Sequence, residues 1–142
     1  MIITQLDEFD LLRGMVIAES VGEDFMGNVL VAQVVKERLK DKRWPSSWRP
    51  VILQPKQFSC FNAFSRIEPL PQWAVTRFFS PDWKDPDFRE CHFAAWGVFY
   101  DWIKDDFGGG ANHYWSDDIS TPSWAVGRTP LYKWGKHFFL KL

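Results

Sequence analysis

The 142-residue chain holds 46% hydrophobic and 25% charged residues, a globular balance that excludes a disordered or fibrous protein. A net charge of −1 and a sequence pI near 6.3 exclude a strongly basic nucleic-acid surface. No apolar run approaches the ~20 residues that a membrane-spanning helix needs.

In chain order, Thr4 and Asp7 form a capping arrangement for a first helix, with Thr4 accepting at the first turn and Asp7 favoured by the helix dipole. Its inward face carries Leu12, Met15, Val16 and then Glu19, and Gly22 ends it. Asp24 caps a second helix, whose stripe runs from Met26 through Val29, Leu30 and Val34 to Leu39 and stops before Pro45. A loop-rich stretch from Trp44 to Ser59 follows, with a short helix near Arg49 to Leu53. Ala63 to Pro86 is irregular, with one short helix at Gln72 to Phe79. A longer helix is expected over Asp87 to Lys104, with Cys91, Ala94, Ala95, Val98 and Trp102 inward. The run Gly108-Gly109-Gly110 breaks it. Beyond the glycines the period shortens: Asn112 to Ser116 is a strand, and Leu131 to Leu142 is a hairpin turning at Gly135-Lys136, a Gly-X loop of the II′ kind. Helices first and a small C-terminal antiparallel sheet last give an α+β class in one domain spanning 1–142, a monomer by default.

Three features bear on chemistry. Nine Trp and thirteen Phe exceed what a core this size encloses, and surplus flat aromatic faces suit a sugar-binding groove. Cys60 and Cys91 lack metal-type spacing, and nothing forces them to pair. Glu19 places a carboxylate on the apolar face of the first helix, three and four residues after Val16 and Met15. Burial there raises its pKa, and a glutamic acid still protonated near neutral pH is the proton donor that a glycosidic oxygen requires.

Five segments, in order, resemble the SleB-type cell-wall hydrolases, a family named for spore-cortex-lytic enzymes. They are Ala18-Glu19 with Gly22-Glu23, the helix from Val29 to Arg38, Gln57-Phe58-Ser59, the strand from Gly110 to Trp115, and Gly135-Lys136-His137-Phe138-Phe139. The resemblance implies a lysozyme-like α+β catalytic domain acting on the MurNAc–GlcNAc backbone of peptidoglycan, with Glu19 as the catalytic residue. It implies lytic transglycosylase chemistry, in which one carboxyl group acts as acid and then as base and leaves a 1,6-anhydro-MurNAc end. The candidates for binding the glycan are Glu23, Gln57, Phe58, Ser59, Asn112, His113, Tyr114, Trp115 and Trp124. Glu23 is read foremost as holding the loop after the helix or a neighbour of Glu19. The chain departs from the pattern at Ser116-Asp117, where relatives commonly carry Asn-Pro, and in a longer segment between Ser59 and Gly110.

The alternatives are a hydrolytic muramidase using both Glu19 and Glu23, and a non-catalytic glycan-binding domain. A metal enzyme drawn from His92, His113, His137 and the two cysteines lacks any ligand spacing, so neither metal nor cofactor is expected. The expected partner is the peptidoglycan strand, with no nucleic acid and no membrane. Met1 to Asp10 shows no basic or apolar leader region, which predicts a protein held in the cytoplasm until release to the cell wall, as for a phage endolysin.

Overall fold

A computed structural model describes residues 1–54 and 59–142. The helix α1 (Glu8–Ser20) is capped by Asp7, whose carboxylate accepts from the Phe9 N–H at 2.9 Å, while Glu8 and Asp10 complement the dipole in its first turn. Thr4 takes no part in the cap. It lies in a separate 3-10 turn, Ile3–Gln5, and its hydroxyl donates to the Arg66 carbonyl. The helix ends at Val21, and Gly22 follows with φ +89°, a left-handed conformation that glycine adopts without a Cβ penalty.

The next helix, α2 (Phe25–Lys40), starts at Asp24, which accepts from the Gly27 N–H at 2.8 Å. Val29, Leu30, Val31, Ala32, Val34 and Val35 are all buried, so α2 is enclosed nearly all round rather than on one stripe. It packs against α1, the short α3 (Trp48–Ile52), the strand described below, and α5 (Pro86–Phe99). Between these, α4 (Gln72–Ala74) runs into a π turn at Val75–Phe79 instead of continuing as one regular helix. Gly14 lets this segment approach α1: a Cβ there would fall 2.4 Å from Phe79 Cε1.

The helix α5 stops five residues before the expected Lys104. Asp101 takes φ +60°, a region Asp tolerates better than most residues, and the Ile103 N–H returns to the Gly97 carbonyl at 2.9 Å. The chain therefore doubles back, Ile103 covers Gly97, and Trp102 is 71% exposed rather than inward. The Lys36 ammonium holds the Asp101 carboxylate. Apolar spacing ran on through this reversal because Ile103 still packs on the core.

The C-terminal sheet has the order β1 (His113–Ser116), β3 (His137–Leu140), β2 (Tyr132–Trp134), all antiparallel. Gly135, with φ +53°, is the first of the two loop residues between β2 and β3. The register pairs Tyr114 with Phe139 and Trp115 with Phe138. Because side chains alternate, Tyr114 and Phe139 join the main core, whereas Trp115, Phe138 and Leu140 form a small cluster with Ala125. Two side chains of α2 anchor this region. The Arg38 Nε–H donates to the Asn112 carbonyl at 2.8 Å, and the Gln33 amide accepts from the Gly108 N–H while donating to the Asp105 carbonyl. No described helix is long and apolar enough to cross a membrane.

Candidate active site

The C-terminal end of α1, the sheet and the loop between β1 and β2 enclose a cleft of about 840 Å³. One wall is the segment Glu19 to Glu23, another is His113 to Ser116 of β1, and the floor includes Arg38. The loop bearing Asp118, Ile119, Pro122 and Trp124 and the turn at Lys136-His137 close the remaining sides.

Glu19 stands at the C-terminal end of α1, where it keeps partial access to the cleft. Burial pushes its carboxyl above the ordinary carboxylate range. Hydrogen bonds from the thiol and the backbone N–H of Cys60, together with the nearby His137 ring, pull the other way without overcoming burial. Cys60 therefore reaches the site, which its sequence position did not announce. Its thiol, enclosed and beside the Glu19 carboxylate, is driven far above the ordinary thiol range, so it stays a neutral S–H donor. Both cysteines are free thiols, and Cys91 is buried on α5.

Glu23 faces the same cleft but is committed. Its Oε1 accepts from the Lys136 N–H at 3.0 Å and lies 3.3 Å from His137 Nδ1. The carboxylate occupies the space a Cβ on Gly135 would need, at 1.8 Å from Oε2. The Gly-Lys turn and the end of α1 are thus locked together by one side chain.

The remaining candidates divide. His113, Tyr114, Trp115 and Trp124 line the cleft, with the Trp124 ring 4.9 Å from His113 and 5.5 Å from Trp115. The Tyr114 hydroxyl reaches Met15 Sδ at 3.8 Å. Its enclosed phenol is held well above its ordinary value by burial and then by Glu19. Asn112 is 2% exposed and turns away from the cleft to bond the backbone N–H and carbonyl of Leu142. Gln57 and Phe58 lie outside the described residues, and Ser59 opens a 3-10 turn that carries Cys60. Of the nine Trp, Trp115 and Trp124 are the ones among the described lining residues. Trp73, Trp83, Trp96 and Trp102 are exposed elsewhere. His92, on α5, packs with Trp83 and Arg13 and is not among the residues lining the cleft, whereas His113 and His137 of the sheet are.

A family model described as cell wall hydrolase matches residues 22–140. The chain belongs to this family. Curated members to which it is similar include spore cortex-lytic enzymes of Bacillus cereus, 27% identical over 95% of the chain, and of Oceanobacillus iheyensis, 27% identical over 95%. The chain spans 44% and 42% of those relatives, less than half of their length. Among solved structures it resembles a catalytic domain described as that of the germination-specific lytic transglycosylase SleB from Bacillus anthracis, with a TM-score of 0.69 and 25% identity, covering 94% of this chain and 93% of that one. The catalytic domain of the Bacillus cereus SleB protein gives 0.68 and 26%, covering 94% and 89%. This cell wall hydrolase thus shares the α+β fold of SleB catalytic domains, with its helices first and its three-stranded sheet last.

Proposed function

We propose that the chain is a single catalytic domain that cleaves the MurNAc–GlcNAc backbone of peptidoglycan as a lytic transglycosylase, with Glu19 as its one acid/base. The observation that carries this reading is a carboxyl group held above its ordinary pKa by burial at the wall of a cleft with aromatic sides. Membership of the cell wall hydrolase family and similarity to a domain described as a lytic transglycosylase support the substrate class and the reaction.

In the first step Glu19, protonated, gives its proton to the glycosidic oxygen as the C1–O bond of MurNAc breaks. The resulting carboxylate then takes the proton of the C6 hydroxyl of the same sugar, whose oxygen forms the new bond to C1. Glu19 ends protonated, and no water is consumed. Cys60 holds the carboxyl through two hydrogen bonds, which also stabilise the charged form between the steps. A two-carboxylate hydrolase would need a second acidic group free to act. Glu23 is occupied by Lys136 and His137, which favours the one-carboxylate reaction over the muramidase reading.

The test is release of soluble glycan from peptidoglycan sacculi, set beside pull-down on the same sacculi. Glu19→Gln is expected to remove release and keep binding. Retained release by a folded Glu19→Gln protein would refute the assignment, and absence of release by the parent protein would leave the binding-domain alternative in its place.

A further inference from the structure

The polar environment of His113 determines what its ring can offer a ligand. Asn112 places its amide unambiguously, because Nδ2 donates to the Leu142 carbonyl at 3.0 Å and Oδ1 accepts from the Leu142 N–H at 2.9 Å. That oxygen lies 2.8 Å from His113 Nδ1. An amide oxygen has no proton to give, so His113 Nδ1 must carry the hydrogen. The ring is also kept uncharged. Burial, and then the positive charges of Arg38 and Arg43, push its pKa down to about 4. A neutral ring with its proton on Nδ1 has a bare lone pair on Nε2, and that atom has no partner among the described residues.

The surroundings of this acceptor select its ligand. The imidazole sits between Trp44, at 5.8 Å, and Trp124, at 4.9 Å, and Trp124 lines the cleft with it. Arg38 and Arg43 disfavour a cationic donor there. An acetamido group carries a neutral N–H and, a few bonds away, a methyl group, which matches an acceptor set beside an indole face. A hydroxyl supplies the donor and nothing for the indole.

We propose that His113 Nε2 accepts a hydrogen bond from the acetamido N–H of a glycan sugar, whose acetyl methyl packs on the Trp124 indole. This rests on the glycan reading above and deepens it: His113 would read the N-acetyl group and Asn112 would position His113.

The experiment is ¹⁵N NMR of histidine-labelled Glu19→Gln protein, which cannot turn over substrate, titrated with N-acetylglucosamine–N-acetylmuramic acid oligosaccharides. In the free protein the proton is expected on His113 Nδ1, and a proton on Nε2 overturns the proposal. On saturation the Nε2 resonance should move as an acceptor's does, with a nuclear Overhauser contact between an acetyl methyl and the Trp124 ring. Saturation without either change overturns the proposal, and a moved Nε2 without the methyl contact makes a hydroxyl the donor and overturns the acetamido assignment. His113→Phe is expected to weaken binding roughly five- to tenfold, the value of one neutral hydrogen bond, and His113→Gln, which retains an acceptor, by less. Complete absence of oligosaccharide binding sinks the glycan reading and the subsite with it, while the proton position still tests the Asn112–His113 geometry by itself.

Discussion

Gly135→Ala tests the link between α1 and the sheet. Two costs are separable. Gly135 has φ +53°, and placing a Cβ in a left-handed conformation costs about 1–2 kcal/mol. The added Cβ would also lie 1.8 Å from Glu23 Oε2 and 2.6 Å from Cδ, so the carboxylate must leave. Its departure removes the bond from the Lys136 N–H and the contact with His137, and a hydrogen bond to a charged group contributes about 1.5–3 kcal/mol. The sum is about 2.5–5 kcal/mol. Glu23→Ala alone should cost about 2 kcal/mol, by the same hydrogen-bond value. In the Glu23→Ala background the clash is gone, and Gly135→Ala should then cost only the backbone part, about 1–2 kcal/mol. Urea unfolding of the four proteins of this cycle supplies the numbers. Equal cost of Gly135→Ala in both backgrounds would show that Glu23 does not fill the space beneath the turn, and the argument would fail.

Other expectations follow from the same contacts. Asn112→Ala removes an amide that serves both Leu142 and His113 from a site with 2% exposure, and should cost about 2–4 kcal/mol in urea unfolding. A loss below about 0.5 kcal/mol, the level of an ordinary surface substitution, would contradict its placement. Gly14→Ala drives a Cβ to 2.4 Å from Phe79 Cε1 and 3.2 Å from the Phe78 carbonyl, an overpacking that costs about 1–3 kcal/mol and should lower the thermal midpoint. Glu19 carries a pH signature. Its folded pKa is raised, so the folded state binds the proton more tightly, and stability is lost as pH rises from the ordinary carboxylate range through the folded pKa. Glu19→Gln abolishes that loss. Its thermal midpoint relative to the parent should therefore be higher at pH 7 than at pH 4, and a difference independent of pH would contradict the burial of the carboxyl.

Much of this organisation was legible in short-range signals. Asp24 stands one residue before its helix and caps it, and the Gly135-Lys136 turn follows from one glycine between two alternating segments. Asp7, read only as favoured by the dipole, is the residue that caps α1. Thr4 misled because a hydroxyl near a helix start is a cap only if the backbone there is extended, and Ile3–Gln5 instead forms its own turn. The long helix ended early at Phe99, and the reversal that follows turns at Asp101, whose side chain is held by Lys36 of a helix far away in sequence, a contact no local pattern contains. In the site, Glu19 stood out because a carboxylate interrupts an apolar face. Cys60 did not, since a thiol in a loop has the composition of ordinary core, and its bond to Glu19 depends on how that loop returns to α1. Asn112 has the residue type of a sugar ligand, yet Leu142, two residues beyond the end of β3, takes the amide through its backbone. Aromatic abundance predicted a lined groove but says how much flat surface exists, not where it lies. Trp96 and Trp102 stack on one another at 5.4 Å, outside the cleft.

The central claim is cleavage by Glu19 with the sugar's own hydroxyl in place of water. It is tested most directly by digesting peptidoglycan sacculi in ¹⁸O-labelled water and weighing the released muropeptides by mass spectrometry. The account predicts 1,6-anhydro-MurNAc ends with no ¹⁸O, all absent when Glu19→Gln replaces the parent protein. Reducing MurNAc ends carrying ¹⁸O would contradict it, because water would then be the nucleophile.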